Sequence, residues 1–218
     1  MKRHVIIAGN IGVGKSTLVQ RLCDLWGWQP FFEAVVENPY LADFYSDMPR
    51  WGFHSQVFFL ANRLQIHREI ADHPSAVIQD RSVYEDAEVF ARNLHDQGAF
   101  SPRDYATYRN LYESVLSFLP PPDLVVYLRA SVPTLVQRIA RRGRAFEARI
   151  DPDYLEQLNA LYDLWIEHFR LCPVLVLPAD DLDFVARPDH FELITRQIAA
   201  QLGPAHSLPI PEPPELLG

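Results

Sequence analysis

The chain has 218 residues, 48% of them hydrophobic and 22% charged, which suits one α/β domain with its own core and excludes a disordered, fibrous or membrane chain. A formal net charge of −8 argues against a duplex nucleic-acid binder, which needs a basic face to displace counterions, but leaves room for a small polyanion in a local cationic cleft. Eighteen arginines stand beside only two lysines, Lys2 and Lys15, so lysine chemistry has almost nowhere else to reside.

The first apolar run, His4 to Ala8, flows straight into a glycine loop and so predicts a first strand, not a secretory signal. The loop Gly9-Asn10-Ile11-Gly12-Val13-Gly14-Lys15-Ser16, followed by Thr17, matches G-x-x-x-x-G-K-[ST] between that strand and a helix predicted over Lys15 to Trp26. Its glycines let backbone N–H groups curl around phosphate oxygens. The helix N-terminus adds positive potential, Lys15 can reach the β and γ phosphates, and the Ser16 hydroxyl can ligate Mg²⁺. Neither lysine lies in the N-K-x-D motif of a guanine pocket, which weakens a switch-GTPase reading and leaves phosphoryl transfer to a small acceptor.

A second strand is expected over Phe31 to Val36, with Glu33 a charged residue inside an otherwise apolar run. A helix over Trp51 to Ala71 carries Gln56 and Arg63, about 20° apart around its axis. A third strand, Ala76 to Gln79, runs into Asp80-Arg81-Ser82, and the helix Tyr84 to Asn93 sets Asp86 and Phe90 one turn apart. Further on come a helix at Pro102 to Phe118, a strand at Asp123 to Leu128 and a helix at Pro133 to Arg142. Around the end of that helix Arg138, Arg141, Arg142, Arg144 and Arg149 fall within twelve residues. A helix at Pro152 to Arg170, a strand at Val174 to Leu177, the stretch Asp180-Asp181-Leu182-Asp183-Phe184 and a helix at Pro188 to Gln201 follow. Residues 204–218 hold five prolines and read as an extended or disordered tail behind a single domain at 1–203.

Strands interleaved with helices predict a five-stranded parallel sheet covered on both faces. The C-terminal strand ends of such a sheet converge on the ligand, so Lys15, Glu33, Asp80 and Arg81 can gather around one phosphate. Glu33 with Arg81 also fits a structural ion pair, and the arginine run also fits a solvated helix face. Cys23 and Cys172 read as buried small apolar residues in a reducing compartment. No apolar run approaches the roughly 20 residues of a membrane span, so a cytosolic protein without membrane or nucleic-acid partners is expected.

The segments GNIGVGKST, EAVVENPYLADFYSD, PRWGFHSQVFFLANR, QDRSVYEDAEVF and QRIARRGRAFEARIDPDYL together resemble the deoxyribonucleoside kinase family. The resemblance implies a P-loop kinase fold with an arginine-rich lid, and an ATP- and Mg²⁺-dependent enzyme of nucleotide salvage that phosphorylates the 5′-hydroxyl of a deoxynucleoside. It implies Glu33 as the general base, Arg81 as a contact to the 5′ oxygen, and Asp80 with Ser16 as partners of Mg²⁺. Tyr45 and Glu147 match the pair that grips the 3′-hydroxyl, Gln56 the glutamine that reads the base edge, and Phe90 the aromatic that stacks on the base. Arg138, Arg142 and Arg144 match the lid that closes over the ATP phosphates, and Asp181 and Phe184 are expected to border the ATP adenine. Ala34 stands where many members have proline, and Asn38 replaces a tryptophan-containing version, so one wall of the base pocket differs from that of the animal enzymes. Arg63 and Asp86 look like the deoxycytidine, deoxyadenosine and deoxyguanosine branch and not the thymidine one, with a tilt towards purines; Gln56 does not separate adenine from guanine, since its amide presents donor and acceptor either way round. A homodimer is expected from the resemblance alone. The competing readings are a nucleoside-monophosphate kinase of the thymidylate kinase type and a non-catalytic ATP-binding partner protein.

Overall fold

The computed structural model describes residues 2–32, 38–144, 150–203 and 208–211. Runs rich in Val, Ile and Leu form β1 (His4–Gly9), β2 (Gln29–Phe31), β3 (Val77–Asp80), β4 (Leu124–Arg129) and β5 (Val174–Pro178). They join in one parallel sheet in the order β2-β3-β1-β4-β5. Around it lie α1 (Lys15–Trp26), α2 (Leu41–Ser46), α3 (Met48–Asp72), α4 (Val83–Glu85), α5 (Arg92–Asp96), α6 (Pro102–Leu116), α7 (Val132–Arg142), α8 (Pro152–His168) and α9 (Pro188–Leu202). A π-helical segment, Asp86–Ala91, joins α4 to α5.

The period-two alternation of a strand divides the core in two. Val5 and Ile7 of β1 face a layer built with α1, α7 and α9, through Leu18, Leu22, Leu135 and Ile194. Ile6 and Ala8 face the other layer, where Leu60 of α3, Phe90 of the π segment, Tyr108 of α6 and Tyr162 of α8 pack. That second layer also buries two histidines. His4 and His67 meet edge to face at 5.4 Å, His4 Nε2 lies 2.9 Å from Gln79 Oε1, and His67 Nε2 lies 3.0 Å from the Pro120 carbonyl. Burial pulls the His4 pKa down to about 4 and lowers that of His67.

Several elements depart from the expected spans. The second strand lies at Gln29–Phe31, not Phe31 to Val36, and Glu33, expected inside it, falls outside the described residues. The apolar run suggested a buried strand, but among the described residues β2 lies at the edge of the sheet and pairs with β3 alone; Phe32 is 40% exposed, and residues 33–37 fall outside the described residues. The short α2 was not expected, since Tyr40 at its N-cap supplies no side-chain hydrogen bond. Helix α3 begins earlier than Trp51 because Asp47 caps it, its side chain accepting from the Arg50 N–H, with Pro49 in the first turn. Cys23 is buried as expected, but Cys172 is only partly so. Part of the C-terminal tail is docked: the Trp26 indole N–H donates to the Pro209 carbonyl at 2.9 Å, and Leu208 packs on the α1 side of the core. Among the described residues no helix is long and apolar enough to cross a membrane.

Candidate active site

The site lies at the C-terminal ends of β1 and β3. Gly9 has φ +142°, and a Cβ there would meet the Leu128 carbonyl oxygen at 2.6 Å, while Gly12 at φ +82° has only 2.6 Å to Ile139 Cγ1. Side chains would break the loop at both positions, which explains its glycines. Lys15 is buried, and its ammonium donates to the Gly9 and Asn10 carbonyls at 2.9 and 3.1 Å. The ammonium is thereby held inside the curl of the loop. Asn10 ties the loop to α8, donating to the Leu155 carbonyl and to Asn159 Oδ1.

Ser16 in the first turn of α1 and Asp80 at the end of β3 meet, Ser16 Oγ donating to Asp80 Oδ2 at 2.5 Å. Asp80 Oδ1 is buried without a hydrogen-bond partner. A hydroxyl beside an under-satisfied carboxylate is the donor set expected for Mg²⁺, which keeps several waters and takes its remaining ligands from phosphates. The residues therefore fit that ion. Among the described residues no cluster of three or more His, Cys, Asp or Glu forms a cage of its own.

Arg81 follows Asp80 with φ +61°, alone among the described non-glycine residues in the left-handed region. Its N–H donates to the Ile7 carbonyl, and its guanidinium lies 4.3 Å over the Phe90 ring. The turn thus aims a cation and an aromatic face at one place. Next to it Ser82 and Glu85 form a reciprocal capping box. Glu85 is fully buried; its carboxylate accepts from the Gly9 N–H, the Ser82 N–H and hydroxyl, and the Tyr162 hydroxyl. Burial pushes its pKa up, opposed by the Arg81 and Lys15 charges and by the two backbone donors.

The residues expected to face the acceptor lie on α3 and the π segment. Arg63 Nε donates to Asp86 Oδ2 at 2.9 Å, with side chains only 3% and 4% exposed. Seven residues before Arg63, Gln56 is also buried, and its Oε1 has no hydrogen-bond partner. Asn38 reaches this region from the neighbouring loop, donating to Ser55 Oγ at 3.0 Å. The π segment carries Asp86 and Phe90 on one helix and turns both inward. Glu33 and Glu147 lie outside the described residues, as does the Tyr45 side chain.

On the side expected to take the nucleotide, two residues have partners within the protein. Arg138, expected over phosphates, donates to the Val13, Ala179 and Leu182 carbonyls, clamping the phosphate loop to the segment after β5. Phe184, expected beside an adenine, is buried in the core with its Cζ 3.1 Å from where a Gly14 Cβ would stand. Asp181, Arg142 and Arg144 are exposed, and Gly143 in the left-handed region ends α7 between the two arginines. Glu85 and Tyr162 were missed by sequence reasoning. The signal for Glu85 was present as Ser82-x-x-Glu85 opening a helix; nothing local marks Tyr162, which is remote in the chain.

The family model described as deoxynucleoside kinase matches residues 5–202. A deoxyadenosine/deoxycytidine kinase of Bacillus subtilis (strain 168) is 39% identical over 209 residues, 92% of this chain and 96% of that protein. A deoxyguanosine kinase of the same organism is 33% identical over 198 residues, covering 89% and 95%. The structure of deoxyadenosine kinase from M. mycoides with bound dATP superposes with a TM-score of 0.79 at 32% identity, covering 89% of this chain and 98% of that one.

Proposed function

Because the chain belongs to the deoxynucleoside kinase family, and is thus an enzyme that phosphorylates the 5′-hydroxyl of deoxynucleosides, we propose that purine deoxynucleosides are its preferred acceptors. The observation that carries this reading is the buried Arg63–Asp86 pair beside Gln56, whose Oε1 has no partner. A buried amide oxygen without a donor costs about 1–3 kcal/mol, and the amino group of a base edge would satisfy it. Thymidine-preferring members of the family keep small or apolar groups at the positions of Arg63 and Asp86, so a charged pair there argues against thymidine as acceptor. Relatives named as deoxyguanosine and deoxyadenosine kinases support the same preference, and one named as a deoxyadenosine/deoxycytidine kinase adds deoxycytidine as a further acceptor.

In the proposed reaction Glu33 takes the proton of the 5′-hydroxyl as that oxygen bonds to the γ-phosphorus of ATP, and the bond to the β-phosphate oxygen breaks to release ADP. Arg81 holds the attacking oxygen, its position fixed by the left-handed turn and the Phe90 face. Lys15 and the loop amides hold the phosphates, with Arg142 and Arg144 adding positive charge from the lid. Ser16 and Asp80 would hold Mg²⁺, which when bound neutralises charge on the phosphate oxygens. Phe90 stacks on the base, and Tyr45 with Glu147 grips the 3′-hydroxyl. The catalytic domain spans 1–203 with 204–218 as a tail, and the enzyme works as a cytoplasmic homodimer, a state that sedimentation at micromolar concentration checks.

Turnover with each of the four deoxynucleosides and ATP tests the reading. Deoxyadenosine or deoxyguanosine should give the highest kcat/KM, and thymidine as best substrate would sink the argument from Arg63 and Asp86. Glu33→Gln should keep nucleoside binding while losing most of the rate; unchanged turnover would refute its role as base.

A further inference from the structure

We infer that Glu85 is a positioning residue for the reaction, fixing the phosphate loop and the Arg81 turn relative to each other through a single buried carboxylate. The inference rests on the role of Arg81 given above. Each carboxylate oxygen is committed to a different part of the site. Oε1 accepts from the Gly9 N–H at 3.3 Å and from the Tyr162 hydroxyl at 3.0 Å; Oε2 accepts from the Ser82 N–H at 2.8 Å and from the Ser82 hydroxyl at 3.1 Å. The first residue of the phosphate loop and the residue that follows Arg81 therefore hang from the two ends of one rigid, planar group.

Arg81 needs such a support. A left-handed backbone at a residue with a Cβ is a costly conformation that persists only where the surroundings over-determine it. Its own N–H is held by the Ile7 carbonyl, and the next N–H, that of Ser82, is held by Glu85. Without the second anchor the peptide after Arg81 can rotate towards ordinary backbone angles, moving the guanidinium off the Phe90 ring, over which it lies at 4.3 Å. The carboxylate is fully buried and has no path to solvent, so it acts on the reaction through its partners and touches no substrate.

Glutamine is the informative replacement. An amide of the same shape keeps one oxygen and turns the other into a donor, which must face either the Gly9 N–H or the Ser82 N–H. One of the two loops is then repelled whichever way the amide sits. Glu85→Gln should lower kcat about 10- to 100-fold, while KM for ATP and for the nucleoside stays within about threefold. A merely structural role would instead lower the melting temperature and the active fraction, leaving kcat of the folded enzyme unchanged. Wild-type kcat in folded Glu85→Gln overturns the inference. The same change made in an Arg81→Ala background should have little further effect, because the residue it positions is gone; an undiminished loss there also overturns it. If Arg81→Ala alone keeps wild-type turnover, the role given to Arg81 fails, and this inference with it. That result is distinct from the case in which Arg81→Ala is impaired but Glu85→Gln is not. Should Glu85→Gln not fold, Tyr162→Phe and Ser82→Ala each remove one hydroxyl donor and leave the carboxylate. Both should show a smaller fall in kcat at constant KM that is lost in the Arg81→Ala background, and the absence of that pattern overturns the inference.

Discussion

The phosphate loop and the acceptor pocket are built by opposite means. The loop is contiguous, its binding groups are backbone N–H donors, and its single ammonium is held by its own carbonyls. The pocket is assembled from α3, the π segment and the Arg81 turn, and its charges are buried side chains that neutralise each other. A backbone-built site tolerates most neighbours but no Cβ where the chain curls. A site built from side chains tolerates backbone variation but no unpaired charge. The first depends on conformation, the second on matched replacement.

The largest test of that contrast is Lys15→Met. Losing the one lysine on the phosphates should cut turnover about 10⁴-fold, roughly 5–6 kcal/mol of transition-state stabilisation, with little change in thermal stability. Steady-state rates that fall less than about tenfold would mean that backbone donors alone carry the phosphates. On the acceptor side, Arg63→Met leaves Asp86 buried without its main partner and should cost about 4 kcal/mol in urea unfolding. Arg63→Met with Asp86→Leu should recover most of that loss, whereas additive losses would break the account of the pair. Acid separates the two layers next. Burial holds the His4 pKa down at about 4 in the folded chain against its ordinary 6.5, so below pH 6.5 protons favour the unfolded chain. Stability is complete above pH 6.5 and should decline towards pH 4 by about 3 kcal/mol. Hydrogen exchange at pH 5 should show the α3 layer losing protection before the α1 layer, and His4→Gln should flatten the slope. The smallest effect is expected on the phosphate side. Removing residues 204–218 deletes the Trp26–Pro209 hydrogen bond and should cost about 1 kcal/mol, about 2–4 °C in Tm, with kcat unchanged.

The same contrast explains what was legible in the sequence. Contiguous features were readable: β1, the glycine loop, α1 and the arginine run at the end of α7 each announce themselves within a few residues. Asp80 and Arg81 could be placed beside Lys15 because a parallel sheet brings its strand ends together. The edge strand was misplaced because its apolar run extends past the last residue that pairs with β3. The partners of Arg138 were not readable, because composition marks a cation but not what it bonds, and here it donates to three carbonyls. Nor was the packing of Phe184 beside Gly14 readable, since an aromatic near a nucleotide loop can equally fill the space beneath a glycine. Arg63 and Asp86 were singled out together only through resemblance, as no local pattern links residues 23 apart on different helices.

The π segment has a consequence for how the pocket could change over generations. Six residues in wide turns, Asp86–Ala91, carry more chain per unit of height than an α-helix does. Loss of one codon inside it could be absorbed by tightening to ordinary α geometry, without breaking the helix. Asp86 and the residues beyond Ala91 would keep their facing, because five residues at about 100° each turn through about the same angle as six in the wider turns, and the side chains between them, Phe90 among them, would be re-aimed. A three-nucleotide deletion could thus redraw one wall of the base pocket in a single step, leaving the fold and the phosphate loop as they were.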